Sequence, residues 1–214
     1  MPIVFKKQIN SHTTLGLWKI EESEETLRAG LQLKQHEIDF IEQLSAGKRL
    51  QHWLATRLLL RTLMDTNDYI DCGMDEHGKP YLLNSVYQIS FSHSFDYAAV
   101  MISSEVQVGI DIELIKHKIK SIKHKFLTDL ELAQPQIGDN TNGLYVSWCA
   151  KEAIYKWHGK KGLEFRQHIH IKPFKLKDEG TLKAVVELPQ GNKEVDLTYF
   201  KTADGYMVAY LAQN

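Results

Sequence analysis

Apolar and polar residues change their spacing along this chain in a way that separates strands from helices. Residues 14–20 alternate as a strand would, residues 23–44 read as one or two charged helices, and residues 47–64 carry a helical stripe of Trp53, Leu54, Leu58 and Leu59. Asp75-Glu-His-Gly78 marks a turn, and residues 88–103 read as a hairpin that reverses near 94–96. In Val106-Gln-Val-Gly-Ile-Asp-Ile-Glu113 the aliphatics Val106, Val108, Ile110 and Ile112 interleave with Gln107, Gly109, Asp111 and Glu113, again a strand pattern. Past a lysine-rich segment the spacing predicts a helix near 128–134, a loop over 135–143 and a helix through 148–157. The tail is strand-rich, with a hairpin over 197–211 turning at Asp204-Gly205.

A weak echo runs through this order. Each half holds a strand, a helix with basic residues off one face, a glycine-marked turn and a closing hairpin. The hairpin endings Asp96-Tyr-Ala-Ala-Val-Met-Ile102 and Asp204-Gly-Tyr-Met-Val-Ala-Tyr-Leu211 share a pattern. The expectation is an α+β fold of two pseudo-symmetric mixed subdomains, residues 1–105 and 106–214, with the active site in the cleft between them.

Two stretches carry chemistry. On the strand, Asp111 and Glu113 project in parallel roughly 7 Å apart, and like charges at that distance raise each other's pKa unless a cation intervenes. An acidic strand facing water is the plain alternative. Gly109 favours the functional one, because a glycine inside a strand marks a close approach of backbone or ligand. On the helix of residues 148–157, Cys149, Ala150, Ala153, Ile154 and Trp157 form a core stripe. The other face gathers Trp148, Lys151, Glu152, Tyr155 and Lys156, where the Glu152–Lys156 spacing is also that of an ordinary helix-supporting pair. Lys151 reads equally as a phosphate contact or a surface lysine, and Trp148 as a packing residue.

Composition narrows the setting. At 214 residues, 43% hydrophobic and 25% charged, the chain suits a globular fold of one domain or two small ones. A net charge of −1 gives no global pull toward nucleic acid, no apolar run approaches a membrane span, and the N-terminus lacks a signal pattern. Two separated cysteines point to the cytoplasm. Charge is uneven, however: Lys116, Lys118, Lys120, Lys123 and Lys125 crowd one segment, either as a solvated face or as a surface that captures an acidic partner. His168 and His170 read as a structural pair on one strand face.

Val-Gly-Ile-Asp-Ile-Glu followed some forty residues later by Trp-x-x-Lys-Glu-Ala-x-x-Lys resembles the paired signature of the phosphopantetheinyl transferases, in their monomeric, pseudo-twofold Sfp-type branch. Gly78-Lys79-Pro80, Ser92-His93-Ser94, residues 126–131 and Gly159-Lys-Lys-Gly-Leu163 fall in the order that family would give them. The resemblance spans roughly residues 45–165, departing where Phe95 replaces the usual glycine and where the segment between Lys48 and Arg57 is shorter.

The resemblance implies transfer of the 4′-phosphopantetheine arm of coenzyme A to a serine of an apo acyl or peptidyl carrier protein, with release of 3′,5′-ADP. It implies Mg²⁺ on Asp111, Glu113 and Glu152, with Glu152 or a water it orients as base and Lys156 at the leaving phosphate. It further implies coenzyme A contacts from Lys48, Arg57, Lys79, Ser92, His93, Asp111 and Lys156. Lys116, Lys118 and Lys120 are expected to meet an acidic carrier, with the protein acting as a monomer without nucleic acid or membrane. Two other readings stay open: a different Mg²⁺-dependent phosphoryl enzyme, against which the missing Gly-x-x-x-x-Gly-Lys-[Ser/Thr] loop speaks, and a non-catalytic carrier or coenzyme A binding module of the same fold.

Overall fold

A computed structural model describes residues 3–44 and 47–214, so Ser45 and Ala46, where the family resemblance begins, lie outside the described residues. The first part of the chain forms β1 (Ile3–Asn10), β2 (Thr13–Lys19), α1 (Glu24–Ala29), α2 (Gln35–Gln43), α3 (Lys48–Met64), β3 (Cys72–Met74), β4 (Pro80–Leu82), β5 (Gln88–Ser94) and β6 (Tyr97–Ser103). After β7 (Val108–Leu114) come a 3-10 turn (His117–Ser121), α4 (Lys123–Phe126), α5 (Asp129–Leu132) and α6 (Thr141–His158). The chain closes with α7 (Phe165–His168), β8 (Ile169–Ile171), β9 (Glu179–Leu188), β10 (Gly191–Lys201) and β11 (Tyr206–Ala212).

The strands build antiparallel sheets in the orders β1-β2-β6-β5 and β7-β11-β10-β9-β8, beside a small β3–β4 ribbon. Strands apolar on both faces have to be covered on both. On β6, Ala98, Val100 and Ile102 pack under α3, while Tyr97, Ala99 and Met101 face the second sheet. On β11, Met207, Ala209 and Leu211 pack under α6, while Tyr206, Val208 and Tyr210 face the first. The layers are therefore α3, sheet, sheet, α6. Each fully buried Leu or Ile on the helices, such as Leu54, Leu59 and Ile154, contributes about 1.5–3 kcal/mol through burial. The succession strand, helix, hairpin occurs twice, as β2-α3-β5-β6 and as β7-α6-β10-β11.

Local chemistry fixes the ends of α6. The Asn140 side chain accepts from the amides of Asn142 and Gly143, and Gly159 ends the helix at φ 71°. The helix expected near 128–134 is the short α5, started by the Thr128–Glu131 capping box and ended at Ala133. Two expectations are corrected. Val106 and Gln107 lie outside β7. His168 closes α7 and accepts from the Glu164 amide at 2.8 Å, whereas His170 lies in β8, 3.0 Å from Glu187, so the two do not share a strand.

Candidate active site in the cleft over the β5–β7 seam

β5 and β7 are the outer strands of their sheets, and they meet edge to edge through side chains. Ser90, Ser92 and Ser94 alternate along β5, and their hydroxyls accept from the amides of Ile110, Ile112 and Leu114 at 3.1–3.2 Å. Two of these hydroxyls also donate: Ser92 to Asp111 Oδ1 and Ser94 to Glu113 Oε2, both at 2.8 Å. The carboxylates expected on one face of the strand are thus aligned from the neighbouring sheet.

Helix α6 lies across the other side of Asp111 and Glu113. Gly109 permits this approach, since a Cβ there would stand 2.0 Å from the Ala153 carbonyl and 2.9 Å from the Trp157 amide. The close neighbour of the glycine is helix backbone. Glu152 and Lys156 then reach the seam, and the Lys156 ammonium sits 2.7 Å from Asp111 Oδ1. Asp111 is buried, and its Oδ2 has no protein partner. Burial and the neighbouring Asp111 carboxylate push Glu152 up to about 7 against the pull of Lys156. Glu113 is raised by burial and Asp111, with the Ser94 hydroxyl pulling it back. Among the described residues, no three His, Cys, Asp or Glu side chains stand in a ready metal-ligating arrangement.

A cleft of about 870 Å³ extends from these groups to α3. Arg49, Trp53 and Arg57, spaced by four on α3, line its far wall. Arg49 went unnoticed in the sequence, although its four-residue spacing from Trp53 and Arg57 was there to be read. Arg57 is packed between aromatics, 4.5 Å from the Trp53 ring and 5.1 Å from the Phe91 ring. Its Nη1 donates to Thr56, its Nε is buried without a partner, and it forms no ion pair with a carboxylate among the described residues. His93 also lines the cleft and stacks on His52 at 4.2 Å; desolvation, His52 and Lys156 push its pKa down to about 4.

Ser92 lines the cleft but is buried, with its hydroxyl spent on Ile112 and Asp111. Other expected site residues stand elsewhere. The Lys79 ammonium donates to Gln107 at 2.6 Å and to the Trp157 carbonyl at 2.8 Å, capping the end of α6 and not lining the cleft. Lys48 is exposed and pairs with Asp96 at the β5–β6 turn. Lys151, read as a phosphate contact or a surface lysine, is neither. It is fully buried, donates to the carbonyls of Phe126, Phe165 and Ile169 at 2.7–2.9 Å, and pairs with Glu131 at 2.8 Å. Trp148 packs edge-on against Phe126 and Phe165. Lys116, Lys118 and Lys120 are exposed, and Lys116 lies 3.4 Å over the Phe95 ring. Phe95 holds the left-handed backbone (φ 49°) that a glycine would adopt freely, at a cost of about 1–2 kcal/mol.

Residues 107–211 match the profile of the 4′-phosphopantetheinyl transferase superfamily. The chain is 29% identical over 148 residues to a 4′-phosphopantetheinyl transferase of Bacillus subtilis, covering 67% of this chain and 63% of that one. It is 30% identical over 127 residues to the 4′-phosphopantetheinyl transferase AcpT of Salmonella typhimurium, covering 56% and 64%, respectively. With AcpT of Escherichia coli K12 it shares 30% over 124 residues, covering 55% and 63%. The chain thus spans less than two thirds of the length of these relatives. The matched stretch runs from β7 into β11 and holds all three carboxylates of the site. No helix among the described residues is long and apolar enough to cross a membrane.

Proposed function

We propose that this chain transfers the 4′-phosphopantetheine arm of coenzyme A to a serine hydroxyl of an apo acyl or peptidyl carrier protein, releasing 3′,5′-ADP. The observation that carries this reading is the meeting of Asp111, Glu113, Glu152 and Lys156 at one end of a cleft whose other end presents Arg57 without a carboxylate partner. The duplicated strand-helix-hairpin order supports placement in the Sfp-type branch, with residues 1–105 supplying nucleotide contacts and 106–214 the catalytic groups.

The donor set is all oxygen and Asp111 Oδ2 lacks a partner, which fits a hard divalent cation such as Mg²⁺ held by Asp111, Glu113 and Glu152. When bound, that ion would neutralise pyrophosphate charge. In the transfer, the serine oxygen bonds to the phosphorus carrying the pantetheine arm while the pyrophosphate P–O bond breaks. Glu152, or a water it orients, is placed to accept the serine proton. Lys156 meets the charge that grows on the departing phosphate. Arg57 and His93 serve the nucleotide end, and Lys116, Lys118 and Lys120 steer an acidic carrier. The free thiols of Cys72 and Cys149 fit the cytoplasm, and the reading is of a monomer.

The test is a mass measurement on an apo carrier protein after incubation with this chain, coenzyme A and Mg²⁺. The carrier should gain one phosphopantetheine, and an unmodified carrier across apo acyl and peptidyl carriers would overturn the proposal.

A further inference from the structure

The serines of β5 are not equivalent. Ser90, Ser92 and Ser94 each accept one β7 amide, from Ile110, Ile112 and Leu114, so each helps hold the two sheets together. Only Ser92 and Ser94 have their hydroxyl protons aimed at carboxylates, those of Asp111 and Glu113. A hydroxyl that accepts from backbone and donates to a carboxylate has little rotational freedom left, so it fixes which oxygen of the carboxylate is occupied and which remains open. For Asp111 the open oxygen is the buried, partnerless Oδ2.

We propose that Ser92 and Ser94 are positioning residues that aim Asp111 and Glu113 into the cleft for cation binding, while Ser90 serves the seam alone. This rests on the carboxylates holding a divalent cation, as read above. Ser94 has the more telling role because nothing else in the site depends on it: its hydroxyl lies behind Glu113 and does not line the cleft. Hydrogen-bond partners behind metal-binding carboxylates typically change metal affinity by about 10–100-fold when removed.

The experiment compares Ser94→Ala, Ser94→Thr and Ser90→Ala with the unmodified chain. Free Mn²⁺ is counted by electron paramagnetic resonance in the presence of excess coenzyme A, corrected for coenzyme A alone, and thermal unfolding is followed in parallel. Both alanine variants should lower the melting temperature, Ser94→Ala the more, since it removes the bond to Glu113 besides the one from the Leu114 amide. Only Ser94→Ala should weaken Mn²⁺ binding, by about 10–100-fold, with Ser94→Thr restoring most of it. Equal Mn²⁺ affinity in the two alanine variants would overturn the positioning role while leaving the cation site intact. An unmodified chain that binds no Mn²⁺ would instead overturn the cation reading, and this inference with it. If Ser94→Ala fails to fold, Ser94→Thr and Ser94→Cys carry the comparison, and cysteine, a weak donor, should weaken binding where threonine does not.

Discussion

Lys156 and Asp111, forty-five positions apart in the chain, are joined by a 2.7 Å contact between the ammonium and one carboxylate oxygen. The contact holds the ammonium beside the carboxylates of the cleft, where the proposed transfer puts the departing phosphate. Lys156→Ala should lower kcat far more than it raises the KM for coenzyme A, because a charge that appears in the transition state is stabilised there and not in the ground state. Steady-state kinetics against coenzyme A checks this, and a change confined to KM would make Lys156 a ground-state binder.

Glu152 gives a pH signature in the stability of the fold. Its folded pKa of about 7 lies above the ordinary carboxylate value, so folding favours its protonated form. Its contribution to stability is present below the unfolded value near 4.5 and is lost as pH rises through about 7. In chelator, the unmodified chain should lose stability relative to Glu152→Gln across that window, as read by urea unfolding at successive pH values. In transfer assays with Mg²⁺, Glu152→Gln should remove most of the activity, since it takes away both a proposed cation ligand and the proposed base.

Arg57 and Lys79 should now separate. Arg57→Ala is expected to lose most of the preference for coenzyme A over dephospho-coenzyme A, because a charge-assisted contact of this kind is worth about 1.5–3 kcal/mol. Lys79→Met should keep that preference and lower the melting temperature, since its ammonium caps α6. Competition binding with the two nucleotides distinguishes these outcomes.

Lys151 should prove a stability residue. Removing it leaves the buried Glu131 carboxylate without its cation, so Lys151→Met should destabilise the fold by about 3–5 kcal/mol in urea unfolding. Adding Glu131→Gln to it should recover part of that loss. An unchanged midpoint in Lys151→Met would contradict the buried pair.

Replacing Lys116, Lys118 and Lys120 with glutamate should raise the KM for the carrier, leave that for coenzyme A nearly unchanged and flatten the salt dependence of the rate. Exposed charges act mainly on encounter and are screened within about 8–10 Å at physiological salt. Carrier kinetics at low salt that match the unmodified chain would leave these lysines as a solvated turn.

Apolar runs bounded by turn residues made β2, the β5–β6 hairpin and β7 legible although β2, β6 and β7 are buried on both faces, and apolar stripes at helical spacing made α3 and α6 legible. β1 was missed: it runs along a sheet edge, alternating exposed with only half-buried positions, and two of its polar residues are adjacent lysines. β9 falls in the tail that reads as strand-rich, with Lys183 and Glu187 exposed along it. At the site, the carboxylates and Lys156 were legible from their faces. The destinations of Lys79 and Lys151 were not, because each ammonium is taken up by carbonyls from distant segments and no local pattern records which carbonyls those are.

The serine ladder also bears on how this chain is made. With β5 in place, three amides on the outer side of β7 are occupied. Until β5 arrives, the sheet of the second half ends in an open edge with apolar faces, a template onto which another chain can add a strand. A fragment starting just before β7 should therefore self-associate when produced alone. Supplying residues 3–103 in trans should suppress that association, since hydroxyls from one half act as the protective border of the other.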